Sequence, residues 1–199
     1  MSVIEFIILA FALSSEALIA MHASARTSSL PLTRGLAESF LIAAINAVLL
    51  VVGILVGNLL RFTPDGMSPD ETSMTKLLTD TDNLVYLGLL ILVALRLLFR
   101  SGKKRRQPQS YDISRLSTAA LLGVAVGINT LIVGLALGFR IPLSDNLWRA
   151  TIPLVVVMTL LSFFGIMMGR QQQEIRARRY TLIAILFLLA VALKSILWS

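Results

Sequence analysis

Residues 9–20 read Leu9-Ala10-Phe11-Ala12-Leu13-Ser14-Ser15-Glu16-Ala17-Leu18-Ile19-Ala20. A carboxylate set in the middle of an apolar run is the feature to be explained. The run extends over 3–23, long enough to cross the ~30 Å hydrocarbon core of a bilayer as a helix. An acid at the centre of such a helix costs ~2.5–3.5 kcal/mol on insertion scales, so it belongs on a face turned to the bundle interior or to water. Ala12, Ala20 and Ala23 share that face and are small enough to admit another helix.

Five further apolar runs follow, at 36–60, 83–99, 116–138, 147–169 and 180–198; the third is the shortest and has room to begin near Leu77. They account for a chain of 199 residues that is 56% hydrophobic and 15% charged, with a mean hydropathy of +0.83. Such values exclude a water-soluble globular enzyme and a disordered chain, and the remaining residues are too few for a separate folded domain. In hydrocarbon only a helix satisfies its backbone donors and acceptors within one segment. The expected fold is therefore an all-α integral membrane protein with six transmembrane helices. Ala23-Ser24-Ala25 looks like a signal-peptide cleavage site, but no Lys or Arg precedes the first run, and Glu5 and Glu16 interrupt it; the segment is expected to remain as a span. The absence of cysteine removes disulfides, thiolate metal sites and cysteine nucleophiles. Neither a phosphate-cradling glycine–lysine loop nor a hydrolase or kinase motif occurs, so neither an enzyme nor an ATP-driven pump is expected, and no cofactor.

The net charge of +7 and the pI near 10.6 suggest nucleic acid until the positions are read. The basic residues crowd into short loops, the pattern that orients a membrane protein, so the lipid bilayer is the expected partner and nucleic acid is not. The first, third and fifth loops hold twelve Lys and Arg against four in the second and fourth. That bias places the odd loops in the cytoplasm and both termini outside it. The stretch 63–82, with Pro64, Gly66 and Pro69, reads as a flexible external loop. Residues 101–115, with Lys103, Lys104, Arg105 and Arg106, read as a basic cytoplasmic linker between a first half at 1–100 and a second at 116–199.

The two halves resemble one another. Glu16-Ala17-Leu18-Ile19 matches Asn129-Thr130-Leu131-Ile132, and Gly53-Ile54-Leu55-Val56-Gly57 matches Gly165-Ile166-Met167-Met168-Gly169. Val93-Ala94-Leu95-Arg96 matches Val191-Ala192-Leu193-Lys194. With three spans in each half, the second must enter the membrane upside down relative to the first. Inverted repeats are the usual construction of secondary transporters, which bind substrate near the midplane where the halves meet.

Glu16 is the leading candidate for a cation or proton site there. Asn46 and Asn129, central in the second and fourth spans, offer either interhelical hydrogen bonds or carbonyl oxygens for a hard cation. Ser15 and Thr130 add hydroxyls, as do Ser14, Thr159 and Ser162. Arg96 and Lys194 each lie about one turn from a membrane face and read as side chains that snorkel to the interface, with a counter-charge for Glu16 as the other reading. His22, at the end of the first span, reads as interfacial. The paired glycines have the spacing that lets helix backbones touch.

The run at 9–20 resembles the first helix of the MntP family of manganese exporters, and Gly127-Ile128-Asn129-Thr130-Leu131-Ile132-Val133-Gly134 is similar to its fourth. Arg96, the six spans and the ending Ile196-Leu197-Trp198 also agree. The resemblance implies a multi-pass bacterial inner-membrane exporter of Mn2+, distantly related to the amino-acid exporter LysE, with a metal site at Glu16, Asn46 and Asn129. Family members typically carry Asp at positions 16 and 129 and commonly Glu at 46, so this chain offers one carboxylate and two amides. That donor set leaves two alternatives open: export of amino acids or other small solutes, and a non-transporting membrane scaffold or regulatory subunit. The oligomeric state is not legible.

Overall fold

The computed structural model describes residues 3–26, 31–61, 73–102, 116–140, 143–171 and 177–197. Six α-helices fill these stretches: α1 (Val3–Ala25), α2 (Leu32–Leu60), α3 (Ser73–Gly102), α4 (Leu116–Arg140), α5 (Leu143–Arg170) and α6 (Ala177–Leu197). Among the described residues, five helices (α1 to α5) are long and apolar enough to cross a membrane. The surface shows what solvent the bundle is built for. Leu59, Leu84, Phe99 and Trp148 face outward, while Ser14, Ser39, Asn46, Asn129 and Ser162 are buried. That inverts the arrangement of a protein folded in water.

The third helix is longer than its apolar run. Residues 73–82, expected as loop, are helical. No proline or glycine interrupts the chain between Pro69 and Gly88, and Asp82 is buried with a carboxylate oxygen 3.7 Å from Arg61 Nε at the end of α2. The rest of the external loop, the basic stretch 103–115 and the terminal Trp198 lie outside the described residues.

The closest packing is α2 on α4 and α1 on α5, and glycine makes both contacts possible. A Cβ added to Gly165 would stand 2.5 Å from the Leu18 carbonyl oxygen, and one on Gly169 would stand 2.5 Å from that of His22. On the other pair, Gly53 meets the Leu131 carbonyl and Gly57 that of Leu135, while Gly134 and Gly138 on α4 return the contact to Leu50 and Ile54. Residue numbers rise together along each pair, so α1 runs parallel to α5 and α2 parallel to α4. The six-residue connection at 26–31 is far too short to return along a 23-residue helix, so α2 starts where α1 stops and runs against α5. Among the other contacts, α3 packs on α4, α6 on α1, α2 on α5 and α3 on α6, with a slighter contact of α1 on α4.

The end of the bundle near Val3 is cross-tied. Lys194 Nζ lies 2.7 Å from Glu5 Oε1, Arg61 faces Asp82, and the Arg140 guanidinium stands 5.1 Å from the Tyr86 ring centre. Inward from these ties, Phe6, Leu9, Leu13, Leu50, Val133, Leu137 and Leu154 line a small apolar cavity. Pro153 interrupts the backbone ladder of α5 beside it. His22, expected at the interface, is covered by α5 and buried.

Candidate substrate site

At mid-helix the bundle carries polar atoms whose pairing is set by donor and acceptor type. Asn129 Nδ2 donates to Glu16 Oε2 at 2.8 Å, and Asn129 Oδ1 accepts from Arg96 Nη1 at 2.9 Å. A carboxylate only accepts and a guanidinium only donates, so one orientation of the amide serves both neighbours. Asn129 is buried, and Glu16 and Arg96 are half-buried. Helices α1, α3 and α4 are thereby joined through one side chain whose two faces meet a negative and a positive group. The formal charges of Glu16 and Arg96 cancel across it.

A second network starts at the next residue. Thr130 Oγ1 donates to Asn46 Oδ1 at 2.7 Å. Asn46 Nδ2 donates to the Ile42 carbonyl of its own helix at 2.9 Å and to the Gly123 carbonyl of α4 at 3.2 Å. Glycine at 123 and 127 leaves room for this, since a Cβ on Gly127 would sit 3.3 Å from Asn46 Oδ1. Asn46 thus fastens α2 to α4 with both its hydrogens and its oxygen engaged.

The other candidates fall elsewhere. Ser15 is buried and returns its hydroxyl to the Ala12 carbonyl at 2.8 Å, and Ser14 does the same to Ala10 at 2.6 Å. Lys194 pairs with Glu5 rather than reaching Glu16, which lies about three helical turns further along α1. Arg96, read chiefly as a snorkelling side chain, turns its Nη1 inward to Asn129. Among the described residues, no three His, Asp or Glu side chains are grouped to hold a metal ion.

One buried acid was not singled out from the sequence. Glu38, near the start of α2, is 1% exposed, with Arg34 Nε 3.3 Å from its Oε1. Its spacing of four from Ile42 and eight from Asn46 puts it on the buried face of α2, a signal the sequence carried.

A bundle greasy outside and polar within, with five helices among the described residues long and apolar enough to cross a membrane, has the make-up of a polytopic membrane protein. A family model described as "Mntp: Putative manganese efflux pump" matches residues 71–196, more than half of the chain, and the protein belongs to this MntP family of membrane transporters. The match covers α3 to α6, and so Arg96, Asn129 and Thr130. No curated protein and no solved structure matches the chain.

Proposed function

We propose that this protein is a secondary transporter of six transmembrane helices, formed by two inverted three-helix halves, that exports a divalent cation, Mn2+ in the first instance, through a midplane site at Glu16. The observation that carries the reading is the Glu16–Asn129–Arg96 relay, a carboxylate held inside the bundle by groups able to let go of it. The inverted halves are supported by α1 running with α5 and α2 with α4, through equivalent glycines on equivalent carbonyls. The charge bias of the loops supports a bacterial inner-membrane location with both termini outside the cytoplasm.

In the arrangement described, Asn129 shows Glu16 its N–H, which a cation cannot use. Arrival of a cation at Glu16 turns the amide so that Oδ1 joins the carboxylate, and the same rotation releases Arg96. Oxygen donors of this kind suit hard cations. Thr130 and Asn46 hold α2 against α4 beside the relay, and Ser15 is turned back to its own helix at Ala12.

A second reading has its own observation. Glu16 and Arg96 present opposite charges on either side of one amide, the spacing a zwitterion requires, so the same site would accept an amino acid by its ammonium and carboxylate groups. Flux into vesicles containing the purified protein separates the two. Mn2+ flux that disappears in Glu16→Gln supports the cation reading; lysine exchange with no Mn2+ flux replaces it with the second; no flux of either removes transport.

A further inference from the structure

Glu38 is the one carboxylate of the described bundle with neither oxygen in a hydrogen bond, although both are buried. Among the described residues its charged neighbour is Arg34, whose side chain is 47% exposed and whose Nε stands 3.3 Å from Oε1 as an ion pair. Four hydroxyls are likewise buried at oxygen and without a hydrogen bond: Tyr86, which stands against Arg140 at the opposite end of the bundle, and Ser39, Thr159 and Ser162. A buried hydroxyl without a hydrogen bond costs ~1–3 kcal/mol, and a carboxylate more. Three orphaned hydroxyls beside an acid held only by a half-exposed arginine call for something that satisfies them.

Their places in the fold bring them together. A Cβ on Gly35 of α2 would stand 3.3 Å from the Ile166 side chain of α5, which fixes the register of these two antiparallel helices. One turn onward along α2 and back along α5, Ser39 comes level with Ser162; the next step brings Ile42 level with Thr159. Asn46 follows one turn later, about 12 Å along the axis from Glu38. The hydroxyls of Ser39, Ser162 and Thr159 therefore lie along the α2–α5 contact, with Glu38 beside Ser39 on the buried side of α2, and lead from the Arg34 end of the bundle toward the Asn46–Thr130 bond beside Asn129. The opposite end is closed by ion pairs and an apolar cluster.

We propose that Glu38, with the hydroxyls of Ser39, Ser162 and Thr159, forms a second station for a hard divalent cation, a loading site between the cytoplasm and the Glu16 relay. Its place on the cytoplasmic side rests on the orientation proposed above; its capacity to bind does not. One carboxylate and neutral hydroxyl oxygens leave the rest of the coordination shell to water, as a transient site needs. Arg34 occupies the carboxylate in the empty protein, and its exposed head has water to move into when a cation arrives.

The test is Mn2+ binding to the full-length protein in detergent, in a background where the relay is disabled by Glu16→Gln. That variant is expected to retain one Mn2+ site, and adding Glu38→Gln to weaken it about tenfold or more. Equal binding with and without Glu38, or no binding in Glu16→Gln alone, overturns the proposal. Should the double variant fail to fold, Arg34→Gln in the Glu16→Gln background decides: removing the competing cation is expected to tighten binding severalfold, and unchanged or weaker binding overturns the station. Wild-type vesicle flux keeps the two readings apart. Glu38-dependent binding without any flux removes the transporter and leaves the station, whereas flux without Glu38-dependent binding does the reverse.

Discussion

Asn129 donates to Glu16 across 2.8 Å, and the two residues are 113 positions apart in the chain. The same separation relates Leu18 to Leu131 and His22 to Leu135, the carbonyls on which Gly165, Gly53, Gly169 and Gly57 rest. Under the proposed pairing of two inverted halves, the bond would join corresponding positions, where whatever one half presents the other meets. An acid on one side and an amide on the other make the contact attractive, where two ionised acids would repel.

That asymmetry is open to a direct experiment. Asn129→Asp raises the number of carboxylates at the relay from one to two and keeps Arg96 within reach. Mn2+ affinity, measured by titration of the purified variant, is expected to rise about tenfold or more, since charge count tunes oxygen-ligand sites. Unchanged affinity would mean that the cation does not visit Asn129.

Glu16→Gln is expected to bring Mn2+ flux in vesicles to the background of empty liposomes while the protein still elutes as a folded species. The amide replaces a charge that Arg96 balances, so a moderate fall in thermal stability accompanies the loss. Full flux in this variant would remove Glu16 from the transport path.

The glycine seats set stability. Gly53→Ala and Gly165→Ala each push a methyl group into a facing carbonyl and are expected to cost ~1–3 kcal/mol, the usual range for overpacking, read as a lower melting midpoint in detergent. Gly88→Ala is the control, because nothing lies within 4 Å of the position its Cβ would take. Equal midpoints for all three would refute the close approach of the helix pairs.

Asn46→Ala and Thr130→Val are each expected to lower stability by about 0.6–1.7 kcal/mol, the range of interhelical hydrogen bonds in membranes. In a double-mutant cycle the pair should be non-additive, because either change alone breaks the same bond.

Much of this architecture is legible in the amino acids. Apolar length gives the helices, and Glu16 and Asn129, singled out as polar residues at mid-span, are the pair that meets. What escapes is what depends on reach. Arg96 lies one turn from a membrane face, where a long basic side chain has two destinations, and sequence does not say that an amide acceptor waits inside. Lys194, at the matching position, finds Glu5 from the far end of the chain. Glu38 was hidden by its neighbour: four residues after Arg34 it passes for a solvated helix end, although its spacing from Ile42 and Asn46 already set it on the face of α2 that is buried. The start of α3 is hard to see in hydropathy because Ser73, Thr75, Lys76, Thr79 and Asp80 dilute its apolar residues, while the Arg61–Asp82 contact that ties α3 to the end of α2 is not legible in sequence.

The orientation assigned from loop charge has a convenient readout in a chain without cysteine. In intact cells Ser68→Cys is expected to react with a membrane-impermeant maleimide and Ser110→Cys only after lysis. The reverse pattern would invert the topology and with it the side from which Glu38 is reached.

The cancellation of charge between Glu16 and Arg96 bears on energetics as well as on recognition. A carrier whose centre sums to zero returns empty without feeling the membrane voltage. The loaded leg would move two positive charges outward against an inside-negative potential, about 4.6 kcal/mol for each 100 mV. Efflux through such a centre runs uphill electrically on one stroke only, and the stroke that carries the metal is the one that an inward flow of protons, or a steep metal gradient, has to drive.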